Sequence, residues 1–141
     1  MFTFRRISAV LTIVFLTIVS SHSETEAMIQ SQSETMILDI SAEDAKELIE
    51  QDSTKIVIVD IRTYGEYMNG RIEGAILVDY FKNFPNGLKE MDRENTLLIY
   101  SRTGKRSRRS LPIFRELGFK RIYHMHNGLA EWCKMGYETV R

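Results

Sequence analysis

The stretch LLIYSRTGKRSRRS, residues 97–110, joins three kinds of segment without a break. Residues 97–100 have the composition of a short strand, residues 101–106 form a loop, and a strongly basic helix pattern follows. In α/β proteins ligands bind beyond the carboxyl ends of strands, so this loop is the first candidate for a functional site. Loops of this construction normally carry a nucleophile at their first position, and here that position is Ser101.

Strand and helix patterns alternate on both sides of this loop. The segment KIVIVD, Lys55–Asp60, is a continuous β-branched run with polar ends, which is typical of a strand covered on both faces. A capping signal at Ser41 and Asp44 precedes an amphipathic helix. We therefore predict an α/β domain with a largely parallel sheet. The remaining predicted strands are Ala75–Val78, Thr96–Tyr100 and Arg121–Met125, and the remaining predicted helices are Tyr64–Asn69, Ser107–Leu117 and Leu129–Met135.

The N-terminal residues differ in composition from the rest of the chain. Arginines precede an apolar run over residues 7–19, and small polar residues follow it, which is the layout of a secretory signal peptide. We predict a signal peptide at residues 1–23, a flexible linker at 24–36 and one globular domain at 37–141. The expected location is periplasmic or secreted, and an uncleaved N-terminal membrane anchor is the alternative.

The charge balance argues against a polyanion as partner. The chain has 19 Lys and Arg and 19 Asp and Glu, and without residues 1–23 the numbers are 17 and 19, a net charge of −2. We therefore expect no nucleic-acid partner. The single cysteine, Cys133, leaves the domain without an internal disulfide. It is interpreted as an incidental thiol, with a disulfide-linked dimer as the alternative.

The loop has the composition of an anion site. It carries three cations around one glycine. If its amides turn toward the start of the next helix, they form a nest for a small oxyanion such as thiosulfate, sulfate or phosphate. A solvated surface loop without a ligand is the alternative. The predicted anion-binding residues are Arg102, Thr103, Gly104, Lys105, Arg106 and Ser107.

Three motifs, in this order, resemble the rhodanese family. YSRTGKRS, residues 100–107, is similar to its active loop, Cys-Arg-x-Gly-x-Arg-Ser, except at the first position. VDIRTYGEYMNGRIEGA, residues 59–75, and YHMHNGLAEWCKMGY, residues 123–137, resemble its Asp-x-Arg segment and its terminal Gly-Gly…Trp segment. The resemblance implies a rhodanese-like fold, with a mostly parallel five-stranded sheet flanked by helices on both faces. A loop of this length implies the sulfurtransferase branch, since related phosphatases have a longer one.

The resemblance also gives roles to the site residues. The family's cysteine takes up sulfur as a persulfide, which needs a thiolate, whereas the hydroxyl of Ser101 stays protonated and cannot hold a transferable persulfide. Asp60, Arg62 and Glu66 match residues that support the site through ion pairing. We therefore predict an exported rhodanese-like protein without sulfurtransferase activity, which binds an oxyanion or an unidentified protein partner. The alternative is a sulfurtransferase-related or phosphatase-like enzyme that uses Ser101 or Cys133.

Two histidines and two departures from the family pattern affect the predicted chemistry. His124 and His126 share a face of a predicted strand and are interpreted as structural, with a base for Ser101 as the alternative. The sequence identifies no third ligand beside them, so neither a metal nor a cofactor is expected. Asn127 stands where the family has a glycine, and we expect it to keep the turn by adopting a left-handed backbone. Pro112 is expected to kink the helix after the loop and to distort the anion site.

Overall fold

The computed structural model of the protein describes residues 34–52 and 56–141. Strands and helices alternate along this part of the chain, as predicted. The predicted signal peptide and the linker up to residue 33 lie outside the described residues. The strands are β1 (Met36–Ile40), β2 (Ile56–Asp60), β3 (Ile76–Leu77), β4 (Thr96–Tyr100) and β5 (Arg121–Met125). The helices are α1 (Ala42–Asp52), α2 (Tyr64–Met68), α3 (Phe84–Lys89), α4 (Lys105–Glu116) and α5 (Gly128–Lys134).

The five strands of the described residues form one parallel sheet in the order β1-β5-β4-β2-β3. This confirms the sheet that the family resemblance implies. β4 pairs with β5 on one side and with β2 on the other, so the loop after Tyr100 emerges from the middle of the carboxyl edge of the sheet. Asp39 of β1 lies opposite His124 of β5 in the strand register.

Side chains of the central strand β4 alternate between two hydrophobic cores. Leu98 and Tyr100 pack in the core that includes residues of α1 and α5, whereas Leu97 and Ile99 pack in the core that includes residues of α3 and α4. All of them are 0% exposed, as expected for a strand covered by helices on both faces. Each such aliphatic side chain contributes on the order of 2 kcal/mol to folding through the water it no longer contacts.

Two elements, β1 and α3, were not predicted from the sequence. Met36, which the prediction assigned to the end of the linker, begins β1. Both Met36 and Leu38 are exposed, because β1 is an edge strand and its outer face is not covered as the central strands are. α3 contains Pro85 and Gly87, residues that usually mark turns, and the proline lies in the first turn, where it costs no hydrogen bond.

Pro112 does not interrupt the helix that follows the loop. α4 begins at Lys105 and continues past Pro112 to Glu116, so the proline does not end the helix. A proline at this position deprives the carbonyl of Arg108 of its helical donor. Arg108 and Pro112 are both exposed, and water can replace the missing donor on this face of the helix. Among the described residues, no helix has both the length and the apolar character needed to cross a membrane.

Candidate functional site

The predicted anion loop, residues 101–107, connects the carboxyl end of β4 to the first turn of α4. Gly104 caps the amino end of α4 with a φ of 76°, a left-handed conformation that favours glycine. A Cβ atom at this position would lie 1.6 Å from the carbonyl oxygen of His126. The glycine therefore allows the loop to pack directly against the turn that follows β5.

The amino end of α5 also holds the loop. The amides of Leu129 and Ala130 donate hydrogen bonds to the carbonyl oxygens of Ser101 and Arg102, both at 2.9 Å. Gly128 makes this approach possible, because a Cβ atom there would lie 2.3 Å from the carbonyl oxygen of Ser101. The backbone of the loop is thus fixed by two hydrogen bonds at its start and by close packing at Gly104.

Asn127 does not take the backbone conformation expected for it. Its φ is −100°, in the right-handed region, and the left-handed residue of this turn is Gly128, with a φ of 64°. Asn127 stands at the N-cap of α5, and its side-chain amide donates to Glu131 at 3.0 Å. The turn therefore tolerates asparagine because the neighbouring glycine supplies the left-handed position.

Ser101, the first residue of the loop, is buried, with only 1% of its surface exposed. Its Oγ accepts a hydrogen bond from the amide of Ser107 at 3.3 Å and lies 3.2 Å from the Ser107 hydroxyl. Ser107 belongs to the first turn of α4, where backbone amides point out of the amino end of the helix. The Ser101 oxygen therefore lies in front of this helix end, where an anion is expected to bind.

A chain of hydrogen bonds leads from Ser101 through the interior to the surface. The Ser107 hydroxyl lies 2.9 Å from Nε2 of His124, and Nδ1 of His124 lies 2.7 Å from Oδ1 of Asp39. His124 and Ser107 are 0% exposed. Arg108 donates to the other Asp39 oxygen at 2.7 Å. The hydrogen bond with His124, assisted by Arg108 and opposed by slight burial, lowers the pKa of Asp39, so this residue is a carboxylate.

Sequence reasoning missed Asp39 and assigned His124 only in part. His124 is buried, as the structural interpretation expects, but its ring contacts Ser107 and not Ser101. Asp39 is separated from His124 by 85 residues, so no local pattern relates them. The only signal is the pairing of β1 with β5, which requires β1 to be recognised first. His126 lies beyond the end of β5, and its amide donates to the carbonyl of Ile40.

The loop cations differ in their surroundings. Arg102 and Lys105 are exposed, as is Thr103. Arg106 is partly buried, pairs with Glu66 at 3.0 Å and lies over the ring of Phe81, 5.0 Å from its centroid. Within residues 34–52 and 56–141, we find no hydrogen-bond acceptor for the amides of residues 102–106. Two exposed charges and several backbone donors are therefore available to a ligand of this loop.

Glu66 links the loop to α2. Its Oε2 accepts hydrogen bonds from the amide and hydroxyl of Thr63, at 3.0 and 2.9 Å, and from Arg106. Partial burial acts to raise the pKa of Glu66, but these hydrogen bonds outweigh it and lower the pKa to about 2. Glu66 is therefore ionised over the physiological range, and its charge holds Arg106 in place.

Asp60 and Arg62 form a buried ion pair at the end of β2. Arg62 donates from Nε to both Asp60 oxygens at 3.0 Å and from a terminal nitrogen to Oδ2 at 2.7 Å, and it also donates to the carbonyl of Gly70 at 2.7 Å. Burial and the Asp60 carboxylate raise the pKa of the neighbouring Tyr100 hydroxyl. In the described part of the chain, the hydrogen bonds of this pair do not reach residues 101–107.

Cys133 lies apart from this group of residues. It is an exposed free cysteine on α5, and no contact with Ser101 or Ser107 is found in the described residues. In the same part of the chain, no group of three or more His, Cys, Asp or Glu side chains is arranged to hold a metal ion.

Comparison with known proteins relates the fold and the loop to one family. The family model described as "Rhodanese-like domain" matches residues 41–135. A sulfurtransferase from Allochromatium vinosum is 26% identical over 105 residues, which cover 74% of this chain and 96% of that protein. A tRNA uridine(34) hydroxylase from Bartonella bacilliformis is 29% identical over 101 residues, which cover 67% of this chain and 32% of that protein. The chain thus spans about a third of the length of the hydroxylases that it matches.

Solved structures with low sequence identity have the same fold. A rhodanese-like domain of an Anabaena sp. protein superposes with a TM-score of 0.66 at 20% identity, over 72% of this chain and 77% of that one. A Bacillus halodurans protein superposes with a TM-score of 0.61 at 19% identity, over 85% of both chains. At these identities the likeness concerns the arrangement of strands and helices alone.

Proposed function

The chain belongs to the rhodanese-like domain family, and from this premise we propose that it is an oxyanion-binding module that has lost sulfurtransferase turnover. A small oxyanion such as thiosulfate, sulfate or phosphate binds in the loop of residues 101–107. We also propose that the protein is exported, on the basis of the signal-peptide pattern at residues 1–23.

The observation that carries the proposal is the hydroxyl group of Ser101 in a buried position at the head of the loop. Sulfur transfer through this position needs a thiolate that attacks sulfane sulfur and holds it as a persulfide. An alcohol is far less acidic than a thiol, and oxygen does not form a transferable persulfide. The substitution therefore removes the reaction while the backbone around it keeps its donors.

The surroundings of Ser101 favour an anion. The amides of residues 102–106 have no acceptor within the described residues, and they lie at the amino end of α4, where the helix dipole is positive. A neutral serine does not compensate this potential as a thiolate does. Exposed Arg102 and Lys105 add charge at the rim of the loop. An external oxyanion would satisfy the amides and the two cations together.

The names of the relatives support sulfur transfer as the ancestral chemistry of this module. One of them bears the name sulfurtransferase and is matched over nearly its whole length. The hydroxylases are matched over about a third of their length, so their activity on tRNA is not carried to this chain by the similarity.

The experiment that tests the lost turnover compares the purified protein with its Ser101→Cys variant in the transfer of sulfur from thiosulfate to cyanide. We expect no transfer by the natural protein and measurable transfer by the variant, because the loop amides remain in place to stabilise a thiolate. Ser110→Cys is the matched control, since Ser110 is a buried serine of α4 outside the loop. Transfer by the natural protein at an ordinary enzymatic rate would contradict the proposal.

Anion binding is tested separately by titrating the protein with thiosulfate, sulfate and phosphate while recording amide NMR signals. We expect shifts concentrated in residues 101–107 at millimolar anion. Equal small shifts over the whole surface, or none, would reject the anion site and leave a module that binds only protein partners.

A second candidate function is a serine-dependent hydrolase, which is favoured by the hydrogen-bond chain from Ser101 through Ser107 to His124. In this reaction the Ser101 proton would pass by way of Ser107 to the imidazole while the oxygen attacks the ester carbonyl. The alcohol would leave with that proton, and water would then hydrolyse the acyl-serine. A panel of carboxyl and phosphate esters tests it, with turnover lost in Ser101→Ala.

Sulfur transfer through Cys133 is tested by the same thiosulfate assay with a Cys133→Ala variant. A disulfide-linked dimer through Cys133 is tested by electrophoresis without reductant.

A further inference from the structure

The chain of hydrogen bonds behind Ser101 has a direction, and that direction bears on which oxyanion the loop prefers. A histidine ring in its neutral form has one N–H donor and one acceptor nitrogen. The Nδ1 atom of His124 faces the Asp39 carboxylate at 2.7 Å. A carboxylate only accepts hydrogen bonds, so the proton of neutral His124 lies on Nδ1, and Nε2 is an acceptor.

This assignment fixes the next two groups. Nε2 of His124 is buried, and the Ser107 hydroxyl at 2.9 Å is its hydrogen-bond partner. The Ser107 hydroxyl also lies 3.0 Å from the carbonyl of Gly104, but donating there would leave the buried nitrogen without a donor. With its hydrogen directed to His124, Ser107 offers only lone pairs to Ser101, 3.2 Å away. The Ser101 hydrogen therefore points inward, to Ser107.

This arrangement makes the Ser101 oxygen a hydrogen-bond acceptor toward a ligand. Its hydrogen is directed to Ser107, and one of its lone pairs accepts the Ser107 amide at 3.3 Å. The remaining lone pair makes Ser101 an acceptor toward any ligand placed before the amino end of α4. Sulfate and thiosulfate dianions have no proton to donate, whereas hydrogen phosphate, of the same charge, carries one hydroxyl group.

We propose that the chain Asp39–His124–Ser107–Ser101 is a specificity element, which makes the loop prefer a protonated oxyanion of the phosphate class over sulfate and thiosulfate. The inference rests on the proposed anion loop and adds its ligand class. Dianions of equal charge are attracted equally by the loop amides and cations, so the difference in affinity arises at the Ser101 oxygen. Hydrogen phosphate can donate a hydrogen bond to this oxygen, whereas sulfate and thiosulfate can only place a lone pair against it. We expect hydrogen phosphate to bind about three- to tenfold more tightly than sulfate at about pH 8.

The decisive variant is Ser107→Ala, which keeps the backbone amide and removes the hydroxyl. Without its acceptor, the Ser101 hydrogen is released and can point toward the ligand. We expect the affinity for sulfate to rise and the phosphate-to-sulfate ratio to fall to about one, a gain that loss of a merely structural hydroxyl would not produce. Ser110→Ala is the matched control, because its hydroxyl donates to the Ser107 carbonyl and lies outside the chain, so its ratio stays that of the natural protein.

The chain can also be examined without a ligand, by measuring the nitrogen shifts of His124 at about pH 8. We expect a protonated Nδ1 and an unprotonated Nε2, and the opposite tautomer would overturn the inference even where a variant is unstable. Equal affinity of the natural protein for phosphate and sulfate would overturn it as well, while leaving the anion site intact. Absence of binding by either anion would overturn both this inference and the proposed function.

Discussion

Two groups of buried polar side chains lie at the carboxyl edge of the sheet, and they satisfy their hydrogen bonds in different ways. Asp60 and Arg62, at the end of β2, pair their charges: both Asp60 oxygens accept hydrogen bonds from Arg62, which also donates to the carbonyl of Gly70. The group behind Ser101, at the end of β4, consists of neutral hydroxyls and one imidazole that lead outward to Asp39. We call Asp60 and Arg62 the closed pair, because their hydrogen bonds do not reach residues 101–107. We call the second the open group, because the Ser101 oxygen lies before the amino end of α4, where a ligand is proposed to bind.

The largest effect is expected where the closed pair is broken. Asp60→Ala leaves the Arg62 charge buried and without its partner, and we expect a loss of about 3–5 kcal/mol in the free energy of unfolding, measured with urea. The control is Lys46→Met, which breaks an ion pair whose side chains are 37% and 62% exposed, and we expect it to cost far less than loss of the buried pair. Similar losses in the two variants would mean that the buried pair is not a stabilising unit.

A smaller effect is expected where the open group meets its backbone support. Gly128→Ala forces a left-handed alanine and places its Cβ against the carbonyl oxygen of Ser101, and we expect a loss of roughly 2–4 kcal/mol with displaced loop signals in NMR spectra. Gly118→Ala is the control: its φ is 80°, but no atom lies within 4 Å of the added Cβ, so only the backbone cost of about 1 kcal/mol remains. Equal costs at the two glycines would show that the loop can move away from α5.

The smallest effect is expected at Glu66, which lies on α2, the helix that follows β2, and pairs with Arg106 of the loop. Its pKa in the folded protein is about 2, below the ordinary value of 4.5, so its contribution is fully present above about pH 4.5 and is lost as pH falls toward 2. We expect Glu66→Gln to be less stable than the natural protein at neutral pH, by on the order of 2 kcal/mol, and the difference to shrink through that window.

The measurement for Glu66 is thermal unfolding at several pH values between 2 and 7. Glu116→Gln, at an exposed position of α4, is the control for loss of a carboxylate without the hydrogen bonds from Thr63 and Arg106. A difference that stays constant from pH 7 to pH 2 would contradict the assignment of the lowered pKa to this contact.

Most of the fold could be predicted from sequence because the buried strands carry their own signal. The continuous apolar runs at β2 and β4 follow from burial on both faces, and the family resemblance added the fifth strand. β1 was missed because an edge strand with exposed Met36 and Leu38 does not differ in composition from the end of a linker. Prediction of α3 failed because Pro85 and Gly87 are turn residues in most contexts.

The candidate site could be predicted only where its residues are close together in sequence. Residues 101–107 form one segment, and the motif indicates them directly. The pairing of Glu66 with Arg106 followed only as part of a family role, and Asp39 could not be found at all, because its relation to His124 is created by strand register. The local expectation failed at Asn127, because the neighbouring Gly128 supplies the left-handed position that the turn requires.

The two hydrogen bonds from α5 to the start of the loop have a kinetic consequence. A loop whose carbonyls are held in this way is not expected to close over a bound anion, so no conformational step should follow binding. Association should then be a single bimolecular process, and anions should differ mainly in their dissociation rates rather than in a slow rearrangement of the protein.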